Sequence, residues 1–115
     1  MLKKYIPQQG DIISTNFNPK LGKEQAGFRP AVVISASQYN QKVELLICCP
    51  ITSQVKNYPF EVQLMRYQKT KGVILADQIK TIDWQARPIK YLEKLSTETF
   101  QQLLSKISVL IGIRP

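Results

Sequence analysis

Residues 30–36 read PAVVISA, and residues 43–51 read VELLICCPI. Neither run alternates apolar with polar side chains, so each reads as a strand buried on both faces or as the stave of a barrel. Working outward, Gly10 precedes DIISTNF (11–17), a β-rich opening strand. PFEVQL (59–64) sets Phe60, Val62 and Leu64 two residues apart, the period of a half-buried strand. GVILADQI (72–79) reads as a further strand, and the IKYLEKL region (89–95) as a short last one. After Ser96 the period lengthens. Phe100, Leu103, Leu104, Ile107, Leu110 and Ile111 form one apolar stripe of an amphipathic helix. Ser96 or Thr97 caps it, and Glu98 brings a negative charge to the first turn, where the helix dipole favours one. The expected fold is mainly β with α. Five or six strands form a small antiparallel barrel closed by a C-terminal helix, which buries such strands without long exposed edges.

At 115 residues the chain is expected to be a single domain, residues 1–115, with one core. Hydrophobic residues make up 43%, the share of a folded protein rather than a disordered one. No apolar run approaches a membrane span, and the basic start MLKKYIPQQGD has no apolar stretch behind it. A cytoplasmic protein is expected. Cys48 and Cys49 are neighbours within the second apolar run. Adjacent Cα atoms are only about 3.8 Å apart, too close for an ordinary disulfide, and strand side chains alternate, which argues against chelation by the pair. Both read as small hydrophobes in a reducing compartment.

Sixteen Lys and Arg against eight Asp and Glu leave a net charge of +8. Such an excess attracts polyanions (RNA, DNA or anionic lipid) and serves equally as a solvated basic face. Its placement narrows the choice. Lys20, Lys23 and Arg29 fall in the first long loop, and Lys56, Arg66, Lys69 and Lys71 in the middle connections. The helix body carries only Lys106, which argues against a recognition helix in a major groove and against a basic membrane-surface helix. The basic surface is expected on loops of a β scaffold.

The first of those loops reads GKEQAGFRP (22–30), with Glu24 and Arg29 a few residues apart just before a buried strand. The chain has no histidine, which removes imidazole acid–base chemistry and the Ser-His and Cys-His pairs. Its carboxylates are scattered, and it has no P-loop, no GxGxxG and no zinc spacing. No cofactor and no metal are expected. An enzyme of this composition relies on Arg, Thr, Ser, Glu, Lys or Tyr and on groups of the substrate. RNA permits that economy, because its 2′-hydroxyl already lies beside the scissile phosphate. A guanidinium then clamps phosphate oxygens, a hydroxyl adds a hydrogen bond, and a nearby carboxylate serves as base or orients the Arg. Glu24 and Arg29 lie in this loop, and Thr52 and Ser53 follow the second apolar run.

GKEQAGFRPAVVIS strongly resembles the start of the MazF/PemK family of toxin ribonucleases from toxin–antitoxin systems. The likeness continues through YNQK (39–42), CPITSQVKNYPFEV (49–62), GVILADQIKTIDW (72–84) and KISVLIG (106–112), in the family's order and spacing. It is strongest to the MazF branch. The resemblance implies a homodimeric SH3-like barrel that cleaves single-stranded RNA at short motifs without metal, leaving a 2′,3′-cyclic phosphate and a 5′-hydroxyl. It also implies an antitoxin, MazE-like, whose extended acidic tail lies in the RNA groove.

By that resemblance the catalytic Arg matches Arg29 and the catalytic Thr matches Thr52. The loop glutamate of the MazF branch matches Glu24, whose reading as base or holder of Arg29 stands beside a plain loop-anchoring ion pair. The chain departs from some PemK-branch members, which have a histidine where Lys23 stands and an arginine where Leu75 stands. An acid–base scheme built on those two residues is therefore excluded. Asp77 reads as structural or substrate-binding. Phe17, Asn40, Lys56, Gln78 and Lys80 are candidates for further RNA contacts, each with a bland alternative in packing or solvation. Tyr58 and Trp84 read as packing residues, and the helix stripe as core or dimer packing. Two other functions compete. CcdB-like gyrase poisons end in Trp-Gly-Ile, whereas this chain ends IGIRP with its one tryptophan at Trp84. The other is an RNA-binding barrel without catalysis.

Overall fold

A computed structural model of the chain describes residues 4–17 and 28–113. The elements run β1 (Asp11–Asn16), β2 (Phe28–Val33), α1 (Ser37–Val43), β3 (Leu46–Thr52), β4 (Glu61–Gln63), β5 (Val73–Leu75), β6 (Lys80–Ile82), β7 (Ile89–Lys94) and α2 (Thr97–Leu110). The strands are antiparallel and follow the order β4-β5-β3-β2-β1-β7, with β6 also paired to β3. Among the described residues β4 and β7 do not pair, so the sheet stays open along this path rather than closing on itself. The architecture is a mainly β antiparallel sheet with two helices.

The unbroken apolar runs are explained by a sheet buried on both sides. Along β1, β2 and β3 successive side chains drop alternately into two cores. Ile12, Val32, Cys49 and Ile51 join one, with Val62, Ile74 and Leu103. Ile13, Ala31, Val33 and Cys48 join the other, with Leu46, Ile82 and Trp84. The first core lies under α2, whose Phe100 and Ile107 pack on it. Burial pushes both thiols up to about 12, Cys48 and Cys49 alike, which leaves them protonated packing groups.

β3 is the axis of the molecule. Its Leu46–Cys48 half pairs with β6 and its Ile51–Thr52 end pairs with β5, so one edge serves two neighbours in turn. The sequence suggests a single strand over 72–79. Instead a turn at Ala76–Asp77, closed by Gln78 N–H donating to Leu75 O at 3.2 Å, splits the segment, and the chain re-enters the sheet as β6. A second difference is α1, which ends at Val43, the first residue of a run that reads as strand. Seven residues are too few for a helical period to show, and Glu44 ends the helix in the left-handed region at φ 65°. In α2 the cap is Ser96, whose hydroxyl accepts from Thr99 N–H at 3.1 Å.

Candidate functional site

Two of the three sequence-predicted catalytic residues, Arg29 and Thr52, line one cavity. β2 and β3 pair through Ala31↔Pro50, Val32↔Cys49 and Val33↔Cys48. The pairing ends there, and Arg29 and Thr52 each lie two residues beyond it, with the same alternation as Ala31 and Pro50. Directly opposed residues share a face, and this is the face on which Ala31 and Cys48 enter the second core. On the other side of β2, Arg29 is paired with Thr15 of β1. Thr15, Arg29 and Thr52 thus form one lateral row across three strands, at the end where that core stops. Arg29 is exposed there and Thr52 half-buried.

Thr52 is held from two directions. It pairs with Val73 of β5, and its hydroxyl oxygen accepts the Gln54 N–H at 3.1 Å. That bond uses a lone pair and leaves the hydroxyl proton free to be donated outward. Gly72 crosses so close to Thr52 that a Cβ on it would stand 2.1 Å from the Thr52 carbonyl oxygen. Only a residue without a side chain fits, and its φ of 119° suits glycine as well.

Two cavities meet at Thr52 and Gln54. One, of about 390 Å³, is lined by Phe28, Arg29, Ile51, Thr52, Ser53 and Lys71 among others. The other, of about 660 Å³, runs from Thr52 and Gln54 past Lys56, Asn57 and Tyr58 to Asp77 and Gln78. Arg29 and Lys71 give the first its cations, whereas the second sets Lys56 beside the carboxylates of Glu61 and Asp77 and the amides of Asn57 and Gln78. The wall from 54 to 60 is fixed by Glu61, whose carboxylate accepts Lys56 N–H at 2.9 Å and Tyr58 N–H at 3.3 Å. Tyr58 also donates its hydroxyl to Asp77 Oδ2, and this bond raises the phenol's pKa. The Asp77 Oδ1 is buried and has no hydrogen-bond partner among the described residues.

The remaining sequence candidates divide. Lys56 and Gln78 line the larger cavity. Phe17 packs at the fringe of the second core with the Lys80 ammonium 5.7 Å from its ring centroid, so these two stand together beside the site rather than in it. Asn40 stands apart. It is fully buried, donates to Pro7 O at 2.8 Å, and accepts from the Ser35 hydroxyl at 2.5 Å, while its backbone carbonyl takes the Trp84 indole N–H at 3.0 Å. Its amide is committed to joining α1 to the N-terminal segment, and we assign it no ligand contact. Glu24 lies outside the described residues.

Sequence reasoning misses Phe28, Gln54, Asn57 and Lys71 as lining residues. It also reads Tyr58 as packing. Tyr58 is 44% exposed and forms part of the cavity wall. The signal for Phe28, Gln54, Asn57 and Tyr58 is proximity in sequence to Arg29 and Thr52, and for Lys71 its charge; neither says which way a side chain points.

The described geometry has clear relatives. The chain is 47% identical over 112 residues to the endoribonuclease toxin MazF of Escherichia coli K12, covering 97% of this chain and 100% of that one. It is 30% identical to the endoribonuclease PemK of Escherichia coli over 95% of this chain and 85% of that one. Among solved structures, a MazE–MazF crystal structure from Deinococcus radiodurans superposes with a TM-score of 0.89 at 37% identity, covering 96% of this chain and 100% of that one. Residues 8–111, which span the whole sheet, both cavities and α2, match the PemK-like, MazF-like toxins of type II toxin–antitoxin systems, and the chain belongs to that family.

Proposed function

We propose that the chain is a toxin endoribonuclease that cuts single-stranded RNA at short sequence motifs, without metal, and so blocks translation and growth. The observation that carries this reading is that Arg29 and Thr52 line one cavity, next to a second, larger one that shares Thr52. The Arg29 guanidinium clamps two phosphate oxygens, and the free Thr52 hydroxyl proton is donated to one of them. The ribose 2′-oxygen attacks phosphorus as its proton departs. The bond from phosphorus to the 5′-oxygen then breaks, and that oxygen takes up a proton. The products are a 2′,3′-cyclic phosphate and a 5′-hydroxyl. Glu24 acts as the base or as the holder of Arg29. In the larger cavity the carboxylates of Glu61 and Asp77 disfavour phosphate, so that end takes base edges beside Lys56 and Gln78.

The relatives named above support the same reading, one as an endoribonuclease toxin and one as half of a MazE–MazF complex. We extend it to a cytoplasmic homodimer with an SH3-like barrel core and a MazE-like antitoxin whose acidic tail occupies the RNA groove. The exposed apolar end of α2, with Val109, Leu110, Ile111 and Ile113 open to solvent, supports the dimer.

Purified protein incubated with single-stranded RNA in EDTA tests the proposal. Cleavage should survive chelation, and Arg29→Ala should lower it at least about 100-fold, the cost of losing one transition-state donor, while RNA binding falls only in part. RNA left intact by folded wild-type protein would overturn the catalytic reading and leave a binding protein, either of RNA or of a protein target.

A further inference from the structure

The turn between β4 and β5 reads MRYQKTK over residues 65–71, and it borders the site at its far end. Lys71 lines the Arg29 cavity, and Gly72 packs against Thr52. The turn is unusually well fixed for an exposed connection. Gln68 is 1% exposed. Its amide donates to Glu93 Oε1 at 2.7 Å and accepts the Ser96 N–H at 2.9 Å. The Glu93 carboxylate also accepts Lys69 N–H at 3.1 Å and Thr70 N–H at 2.6 Å. Lys71 closes the turn by donating to Arg66 O at 2.9 Å and Gln68 O at 2.8 Å.

What this scaffold presents to solvent is a different matter. Tyr67 is 74% exposed, the most of any large hydrophobic residue described. It stands between Arg66 and Lys69, both exposed, and none of the three side chains has a hydrogen bond, ion pair or ring contact among the described residues. An aromatic ring held out on an anchored turn, with a cation on either side, has the composition of a single-strand track, in which bases stack on rings and phosphates meet cations.

We propose that the 65–71 turn is an accessory binding surface for single-stranded RNA. It grips the same strand beyond the nucleotides held at Arg29 and Thr52, with Tyr67 stacking a base and Arg66 and Lys69 neutralising phosphates. This rests on the endoribonuclease reading and adds that affinity depends on RNA outside the cleaved motif. Anchoring by Glu93 and Gln68 lowers the entropic cost of engaging the strand, because the turn has already been ordered by folding.

The test uses the intact chain and two RNAs: the shortest oligonucleotide that wild type cleaves, and the same sequence with a uridine tract at both ends. Both are also made with a 2′-deoxy sugar at the cut nucleotide to measure binding alone. Tyr67→Ala should weaken the long RNA about 5- to 150-fold and leave the short one unchanged, and Tyr67→Trp should restore it. The double variant Arg66→Gln, Lys69→Gln should flatten the salt slope for the long RNA by about 1.4, the value for two phosphates on a single strand. Cleavage of the short RNA should keep its wild-type rate in every variant. Equal losses on both RNAs, or no loss on either, would overturn the track. So would variants that bind both RNAs normally but lose a polyglutamate peptide, since the turn would then be a protein-docking surface. A change of oligomeric state in Tyr67→Ala without length-dependent affinity would likewise overturn it. A short RNA that wild type leaves uncut would count against the endoribonuclease reading itself, whatever the turn variants do.

Discussion

The hydroxyl of Thr15 is fully buried in the row that carries Arg29 and Thr52, and its oxygen has no hydrogen-bond partner among the described residues. A buried hydroxyl left unpaired costs about 1–3 kcal/mol, whereas the isosteric valine costs nothing of that kind. Thr15→Val should therefore raise stability by roughly 1 kcal/mol, seen as a higher urea midpoint at unchanged slope. A drop in midpoint would mean that the hydroxyl is satisfied. Gly72 makes the opposite case. Alanine there would drive its Cβ into the Thr52 carbonyl, so either β5 separates from β3 or Thr52 moves. Gly72→Ala should cost at least about 1–3 kcal/mol by such overpacking and lower cleavage with it. Wild-type cleavage and stability in this variant would show that the contact yields freely.

Among the elements, the 65–71 turn carries its own pH dependence. Burial alone would raise the Glu93 carboxyl, but hydrogen bonds from Thr70, Lys69 and Gln68 outweigh it and hold the group below its ordinary value. A carboxyl lowered by folding stabilises the protein above its unfolded value, about 4.3, and that contribution fades as pH falls through the folded value. Wild type should therefore lose stability on acidification through the low carboxylate range. Glu93→Gln should be less stable at neutral pH and lack that acid-dependent component. Its Lys69 and Thr70 amides should also exchange faster with solvent. Unchanged exchange at those two amides would show that Glu93 does not hold the turn. The elements themselves are unevenly legible. DIISTNF, PAVVISA and the α2 stripe announce their structures because each is long enough for its period to show. The seven-residue α1 and the three-residue β5 and β6 are too short for that, and only pairing defines the last two, β5 to β4 and β3 and β6 to β3.

For the molecule as a whole, a net charge of +8 suits the RNA substrate proposed above. Binding of uncleavable single-stranded RNA should weaken steeply with salt, log affinity falling by about 0.7 per neutralised phosphate for each unit of log salt. A flat salt dependence would mean that the charge merely keeps the protein soluble. Composition alone leaves those two outcomes even, whereas it carries the exclusion of histidine chemistry outright.

The sequence by itself determined the buried strands of β1 and β2, the terminal helix, the basic balance and the family, and it named Arg29 and Thr52 as candidates, because local period, residue chemistry and motif resemblance are carried by neighbouring residues. Tertiary structure alone decided that Asn40 is spent inside the protein, that Tyr58 faces the cavity with Asp77, that Gly72 backs Thr52, and that among the described residues β4 and β7 do not pair. Each of these depends on which distant segment arrives across a strand, and a one-residue change of register would turn every such side chain to the opposite face.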